Sequence, residues 1–288
     1  MLVTIKFPKF YVSLMYPNIG KSSRIDNLFN SNNNAFVVAF DHGILMGPID
    51  GIKDIESSVS KVAKGGPDAI QVTPPIAKVV SENFLGRNSP SLIARIDSSN
   101  LWRSSPEPKS GYYTELFSVK DAVRLDAQAV VTYLLVGFEN DHDEAYNLKA
   151  LSKIAHEAHD YGMPLIIEPL GIAKGYQAVR DKDIISLAVR MATEVGADLL
   201  KVDYTGEKDS FREILDSTTC PVMIRGGPKT KTIADSLQMV SDSLETGAKG
   251  LVSGRNIWQS EDPTKITKVY TEFVHNEIGL EDALKQLE

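Results

Sequence analysis

The chain has 288 residues, 42% hydrophobic and 24% charged, which suits a globular protein with a substantial core. Its formal net charge of −7 and pI of about 5.4 argue against non-specific binding to nucleic acid or to an anionic membrane, while leaving room for a small basic pocket. One cysteine, Cys220, rules out an intrachain disulfide and a cysteine zinc site; no apolar run reaches the roughly 18 residues of a membrane span, and residues 1–20 lack the apolar core of a signal peptide, so the cytoplasm is expected.

Residues 1–34 read as an N-terminal extension ending in the polar run Asn30-Ser31-Asn32-Asn33-Asn34. Residues 35–288 read as a single domain. Short runs rich in Val, Ile and Leu recur at 35–40, 69–73, 91–96, 129–136, 164–168, 197–202, 221–224 and 249–252. Continuous apolar runs of this length mark strands buried on both faces, as in a parallel sheet. Helical spacing fills the intervals at 52–64, 76–84, 119–127, 143–161, 181–195, 210–217 and 230–246, and again from Pro263 onward. Gly162, Gly196 and Gly247 each follow a helical segment as a stop signal, and Pro164 and Pro221 open strands where a missing amide donor is tolerated. Eight strands in unbroken alternation with helices predict a (β/α)8 barrel, with an open doubly wound sheet as the alternative. The stretch 97–117 has no periodicity and is centred on residues 104–111. Anchored by Trp102, Tyr112 and Tyr113, it reads equally as an active-site lid or as a subunit contact or packed surface loop.

In such a barrel the chemistry sits at the C-terminal ends of the strands. Those ends carry Asp41, then Gln71 and Thr73, Arg95 and Asp97, Tyr133, Glu168, Lys201 and Asp203, Arg225, and Ser253 with Arg255 just beyond. A polar group on every strand end predicts a pocket. Lys201 stands out because it lies inside an apolar run, where an unpaired ammonium is costly. It is either a snorkelling side chain or an amine made nucleophilic by burial. The loops after the last two strands, Arg225-Gly226-Gly227-Pro228-Lys229-Thr230 and Ser253-Gly254-Arg255-Asn256-Ile257-Trp258, carry glycines that let backbone amides approach an anion, and barrels often bind phosphate there. Among the five histidines only His156 and His159 share helical spacing, and no third ligand of matching context follows, so no metal is expected. No Walker loop or GxGxxG sequence supports a nucleotide.

Four segments in register, Ala39-Phe40-Asp41-His42-Gly43, Leu200 to Gly206, Arg225 to Thr230 and Ser253 to Trp258, resemble the class I aldolase superfamily of archaeal-type fructose-bisphosphate aldolases, heptulosonate synthases and tagatose-bisphosphate or sulfosugar aldolases. The resemblance implies a barrel with a Schiff-base lysine on its sixth strand, here Lys201. It also implies a catalytic role for Asp41, and phosphate binding by Gly226, Gly227, Ser253, Gly254 and Arg255, to which Arg225 and Arg95 add charge. Glu168 occupies the place where the archaeal-type fructose-bisphosphate aldolases and heptulosonate synthases carry a proton-donating tyrosine, a feature similar to the tagatose-bisphosphate and sulfosugar branch. Glu168, with its pKa raised by burial, is therefore the expected proton-transfer group, with Tyr133 or Tyr204 as a second donor. The implied activity is metal-independent cleavage or formation of a C–C bond in a phosphorylated ketose, with no cofactor beyond the lysine imine. An imine-dependent transferase, heptulosonate synthase- or thiolase-like, and a non-catalytic phosphosugar-binding barrel are the alternatives. Relatives form rings, so a homo-oligomer is expected. The C-terminal region, with Ile278, Leu280, Ala283, Leu284 and Leu287 at helical spacing, is expected to cover the barrel floor or join subunits.

Overall fold

The computed structural model describes residues 18–103, 112–172 and 178–287. Residues 1–17 of the expected extension and residues 104–111 of the expected lid lie outside the described residues. Eight parallel strands close into a barrel: β1 (Ala35–Ala39), β2 (Ala69–Val72), β3 (Ser91–Arg95), β4 (Ala129–Val136), β5 (Leu165–Ile172), β6 (Leu199–Asp203), β7 (Val222–Arg225) and β8 (Gly250–Ser253). The ring shuts where β8 pairs with β1, with Phe36 beside Leu251 and Val38 beside Ser253.

The period of two along each strand sorts the core. Val37, Ala39, Ile93, Val131, Ile166, Leu199, Met223 and Val252 point inward and fill the barrel. Their neighbours Phe36, Val38, Ile70, Leu92, Val130, Ile167, Leu200, Val202 and Ile224 point outward onto the helices. Extending the inward parity to the C-terminal ends brings Asp41, Gln71, Arg95, Tyr133, Glu168 and Lys201 together above that apolar plug. The floor is closed by Leu28, 1% exposed, which packs into the inner cluster beside Phe29. It is held there by the helix Ile19–Asp26, whose Lys21 pairs with Asp198 at 2.9 Å and whose Arg24 donates to the Gly162 carbonyl at 3.0 Å. Pro263–Val274 packs on the helix Ile55–Lys64 and on β1, and Leu280–Leu287 packs on the helices Ile233–Thr246 and Pro263–Val274.

Helix ends follow the local signals. Gly196 and Gly247 stop their helices with positive φ of 110° and 115°. The helix Ile233–Thr246 starts with a capping box in which the Thr232 hydroxyl accepts from the Asp235 amide at 3.0 Å and the Asp235 carboxylate accepts from the Thr232 amide at 3.1 Å. Thr232→Ala is expected to lower stability by about 1 kcal/mol, read as a fall in the urea midpoint with an unchanged m-value. An unchanged midpoint would show that this cap is silent.

β5 departs from expectation. It runs past Glu168 through Pro169 and Gly171 to Ile172, because β4 continues beside it and pairs Tyr133 with Glu168 and Val136 with Gly171. The stretch 97–117 also carries structure: Asp97–Ser99 and Tyr113–Glu115 pair as an antiparallel ribbon, with the Tyr113 hydroxyl 3.0 Å from that of Thr132.

Candidate active site

Lys201 lies on β6 with its side chain inside the barrel mouth and the residue 5% exposed. Its Nζ donates to Glu168 Oε2 at 3.0 Å. Glu168, 2% exposed, is opposite it on β5. Both line a cavity of about 310 Å³ whose wall also includes Asp41, His42, Trp102, Tyr133, Arg180, Arg225, Gly227, Gly254 and Arg255.

Beneath this wall lies Arg95, 0% exposed. Its guanidinium binds three carboxylates that arrive on separate segments: Nε donates to Asp41 Oδ2 at 2.7 Å, Nη1 to Asp97 Oδ1 at 3.1 Å, and Nη2 to Glu168 Oε2. Its Cζ stacks 3.8 Å from the centroid of Tyr133. Asp97 also accepts from the Tyr133 amide at 2.6 Å and the Thr132 hydroxyl at 2.8 Å, so its two oxygens are fully engaged. Asp41 Oδ2 takes a further bond from Gln71 at 2.6 Å. Arg95 thus pins one oxygen of Asp41 and one of Glu168. The other oxygen of each, Asp41 Oδ1 and Glu168 Oε1, has no hydrogen bond among the described residues; Asp41 Oδ1 lies 3.8 Å from His42 Nδ1 and Glu168 Oε1 lies 3.6 Å from Arg225 Nη1.

The electrostatics follow from burial and from this pinning. Burial pushes the Lys201 ammonium down, with Arg95 adding to the effect, while Glu168 and Asp41 oppose it; the result is an amine below its ordinary pKa. Burial pushes Glu168 up, but Lys201, Arg95 and Arg225 outweigh it, and the carboxyl ends below its usual value. The upward shift expected of Glu168 is therefore not found, because desolvation is more than offset by three cations. Asp41 is held low in the same way by Arg95, Lys201 and His42 against burial. Burial drives His42 down to about 4, so its imidazole is neutral at pH 7. Tyr133 is pushed well up by burial and stays a phenol.

The glycine turns border the other side of the cavity. Arg225 forks onto Asp203, Nε to Oδ1 at 3.0 Å and Nη2 to Oδ2 at 2.7 Å. Arg255 donates from Nη2 to the Gly227 carbonyl at 3.3 Å. Gly254 has no room for a side chain: a Cβ there would stand 2.5 Å from His42 Cε1 and 2.9 Å from the Ala39 carbonyl oxygen.

Most of the candidate residues converge here, and four need correction in their placing. Arg95 does not reach the cavity wall, since its donors are spent on carboxylates, so it is not positioned to take a phosphate. Gly226 commits its amide to the Val252 carbonyl at 2.8 Å, and Ser253 is buried in β8; neither lines the cavity. Tyr204 has the outward parity of Val202 and packs edge-on against Phe211, away from Lys201. Conversely, His42 and Trp102 line the cavity, although the sequence assigned His42 no role of its own within the segment Ala39 to Gly43 and Trp102 only that of a loop anchor. Arg180 lines it with no signal in the sequence at all. Among the described residues no group of His, Cys, Asp and Glu is placed to hold a metal ion, and no helix is long and apolar enough to cross a membrane.

Comparison with known families matches residues 35–260 to the family described as DeoC/LacD family aldolase. An uncharacterized aldolase of Saccharolobus solfataricus is 48% identical over 271 residues, covering 93% of this chain and 99% of the relative. The 2-amino-3,7-dideoxy-D-threo-hept-6-ulosonate synthase of Halobacterium salinarum is 33% identical, covering 92% and 95%. A solved archaeal fructose-1,6-bisphosphate aldolase, with its catalytic lysine covalently bound to the carbinolamine intermediate of the substrate, superposes with a TM-score of 0.77 at 27% identity, covering 88% of this chain and 99% of that one.

Proposed function

The chain belongs to the DeoC/LacD family of aldolases, and from that premise we propose that it makes or breaks a carbon–carbon bond of a phosphorylated ketose through an imine on Lys201. The observation that carries this reading is the contact of a buried Lys201 Nζ with Glu168 at 3.0 Å on the wall of the cavity.

Neutral Lys201 attacks the ketone carbon and gives a carbinolamine. A proton taken up from solvent lets the carbinolamine hydroxyl leave as water, and the protonated imine that remains serves as the electron sink; the final hydrolysis returns that proton. Glu168 accepts the hydroxyl proton of the carbon being released. The C–C bond then breaks toward the imine, an aldehyde departs and an enamine remains. Proton return to the enamine carbon and hydrolysis free Lys201. Glu168 is suited to accept because it is ionised and one oxygen is not committed to a hydrogen bond. Asp41 holds substrate hydroxyls through Oδ1 while Arg95 holds Asp41. Tyr133, a phenol throughout the working range, is the second donor.

Glu168→Gln is expected to lower turnover by about 10²–10⁴-fold, the usual contribution of a general base, while borohydride still traps substrate on Lys201. Turnover within a few-fold of wild type would remove Glu168 from the proton path. The reaction itself is tested by incubating the protein with a panel of phosphorylated ketoses in the presence of a metal chelator and measuring aldehyde release. Release from at least one is expected; release from none, with no covalent adduct, would contradict the reading. The identity to a heptulosonate synthase favours one alternative, transfer of the enamine fragment to an acceptor. It is distinguished by an amino-aldehyde acceptor, which then yields a longer chain rather than free aldehyde.

A further inference from the structure

We propose that Arg180 selects the phosphate of the substrate: its guanidinium, carried by the segment after β5, joins Arg255 around the Gly227 turn to hold a phosphate dianion. Three arginines meet at this turn. Arg225 is neutralised by its two-bond fork on Asp203. Arg180 reaches the same carboxylate only at 3.6 Å, on the oxygen that already accepts from Arg225 Nε. Arg255 pairs with no carboxylate among the described residues, and its buried Nε has no hydrogen-bond partner. Asp203 therefore leaves about two positive charges beside Gly227, which matches the charge of roughly −1.5 to −2 on a phosphate monoester at pH 7.

The geometry fits the charge. Gly227 has φ of +66°, and a Cβ added there would overlap the Arg180 guanidinium, so Arg180 lies directly over the turn. On the same residue, Arg255 Nη2 donates to the carbonyl. The Arg180 side chain is 45% exposed and lines the cavity, so it is free to exchange its long contact with Asp203 for a phosphate. A forked guanidinium recognises phosphate with two parallel bonds, a geometry lysine does not reproduce. The phosphate is then gripped from the β5 side as well as from the β7 and β8 turns, with the ketone carbon directed toward Lys201.

This inference rests on the aldolase reading, and inorganic phosphate, which forms no imine, separates the two. Calorimetric titration of inorganic phosphate into wild type, Arg180→Lys and Arg180→Met is expected to show binding that weakens at least tenfold in the methionine variant and by less in the lysine variant. In borohydride trapping, the preference for dihydroxyacetone phosphate over dihydroxyacetone is expected to fall at least tenfold in Arg180→Met. No phosphate binding by wild type, binding by Arg180→Met within twofold of wild type, or equal losses with both ketones would overturn the role of Arg180. Failure of the aldolase reading looks different: phosphate binding still depends on Arg180, and no adduct forms on Lys201.

Discussion

Lys201→Met is expected to abolish turnover while leaving the barrel folded. Methionine is unbranched and close in length, so it fills the same channel, but it has no amine to condense with a ketone. Deleting a covalent nucleophile costs up to about 10⁶-fold in other enzymes, and a loss on that scale is expected. The fold tolerates the change because Glu168 keeps Arg95 and Arg225 as partners once the lysine is gone. The expected pH dependence has a definite sign. Burial holds the Lys201 pKa below its ordinary value, so wild-type activity falls as pH drops through that lowered value and the amine protonates. Near-wild-type turnover in Lys201→Met, with a native circular dichroism spectrum, would eliminate imine catalysis.

Arg95→Met is expected to destabilise the protein by about 3–5 kcal/mol, the range found when one partner of a buried ion pair is removed. Arg95 binds Asp41, Asp97 and Glu168 in a space that excludes water, and methionine leaves all three without that cation. In the wild type, Asp41 and Glu168 lie below their ordinary pKa values, so their contribution to stability is present above the unfolded carboxylate range and is lost as pH falls through their folded values. Without Arg95, burial is left less opposed and both carboxyls rise. The variant should therefore take up protons on these groups in milder acid, and its deficit should be larger at pH 7 than at pH 5. Arg95→Lys keeps a charge but cannot fork to three acceptors, so it should fall between. Urea unfolding at the two pH values measures this. A deficit under about 1 kcal/mol, or one that grows in acid, would show that Arg95 is not what holds the carboxylates.

The barrel was legible because eight apolar runs are separated by helical intervals, and the polar ring because period-two parity runs unbroken from the inner cluster to the strand ends. Val131 to Tyr133, Ile166 to Glu168 and Leu199 to Lys201 are each one step of two along a strand. The same parity excludes Tyr204, which follows Val202 outward. Other features were not local. An arginine at a strand end reads as a ligand for phosphate, and only closure of the ring brings Asp41 and Glu168 onto Arg95 from β1 and β5. Lysine and glutamate occur throughout the chain, but their contact spans 33 positions in sequence. β5 appeared to end at Glu168 because Pro169 and Gly171 resemble a turn; pairing with β4 overrides that preference. Leu28 sits in a polar stretch, and its place in the floor depends on a helix anchored to Gly162 and Asp198. Arg180 has no periodicity or motif around it; its place over Gly227 is a purely tertiary fact.

The central claim is that Lys201 carries the substrate covalently. Incubation of the full-length protein with dihydroxyacetone phosphate and borohydride, followed by proteolysis and mass spectrometry, tests it directly. The predicted result is a single reduced adduct on the peptide containing Lys201, absent from Lys201→Met. An unmodified Lys201, or an adduct formed on another lysine with Lys201 untouched, would contradict it.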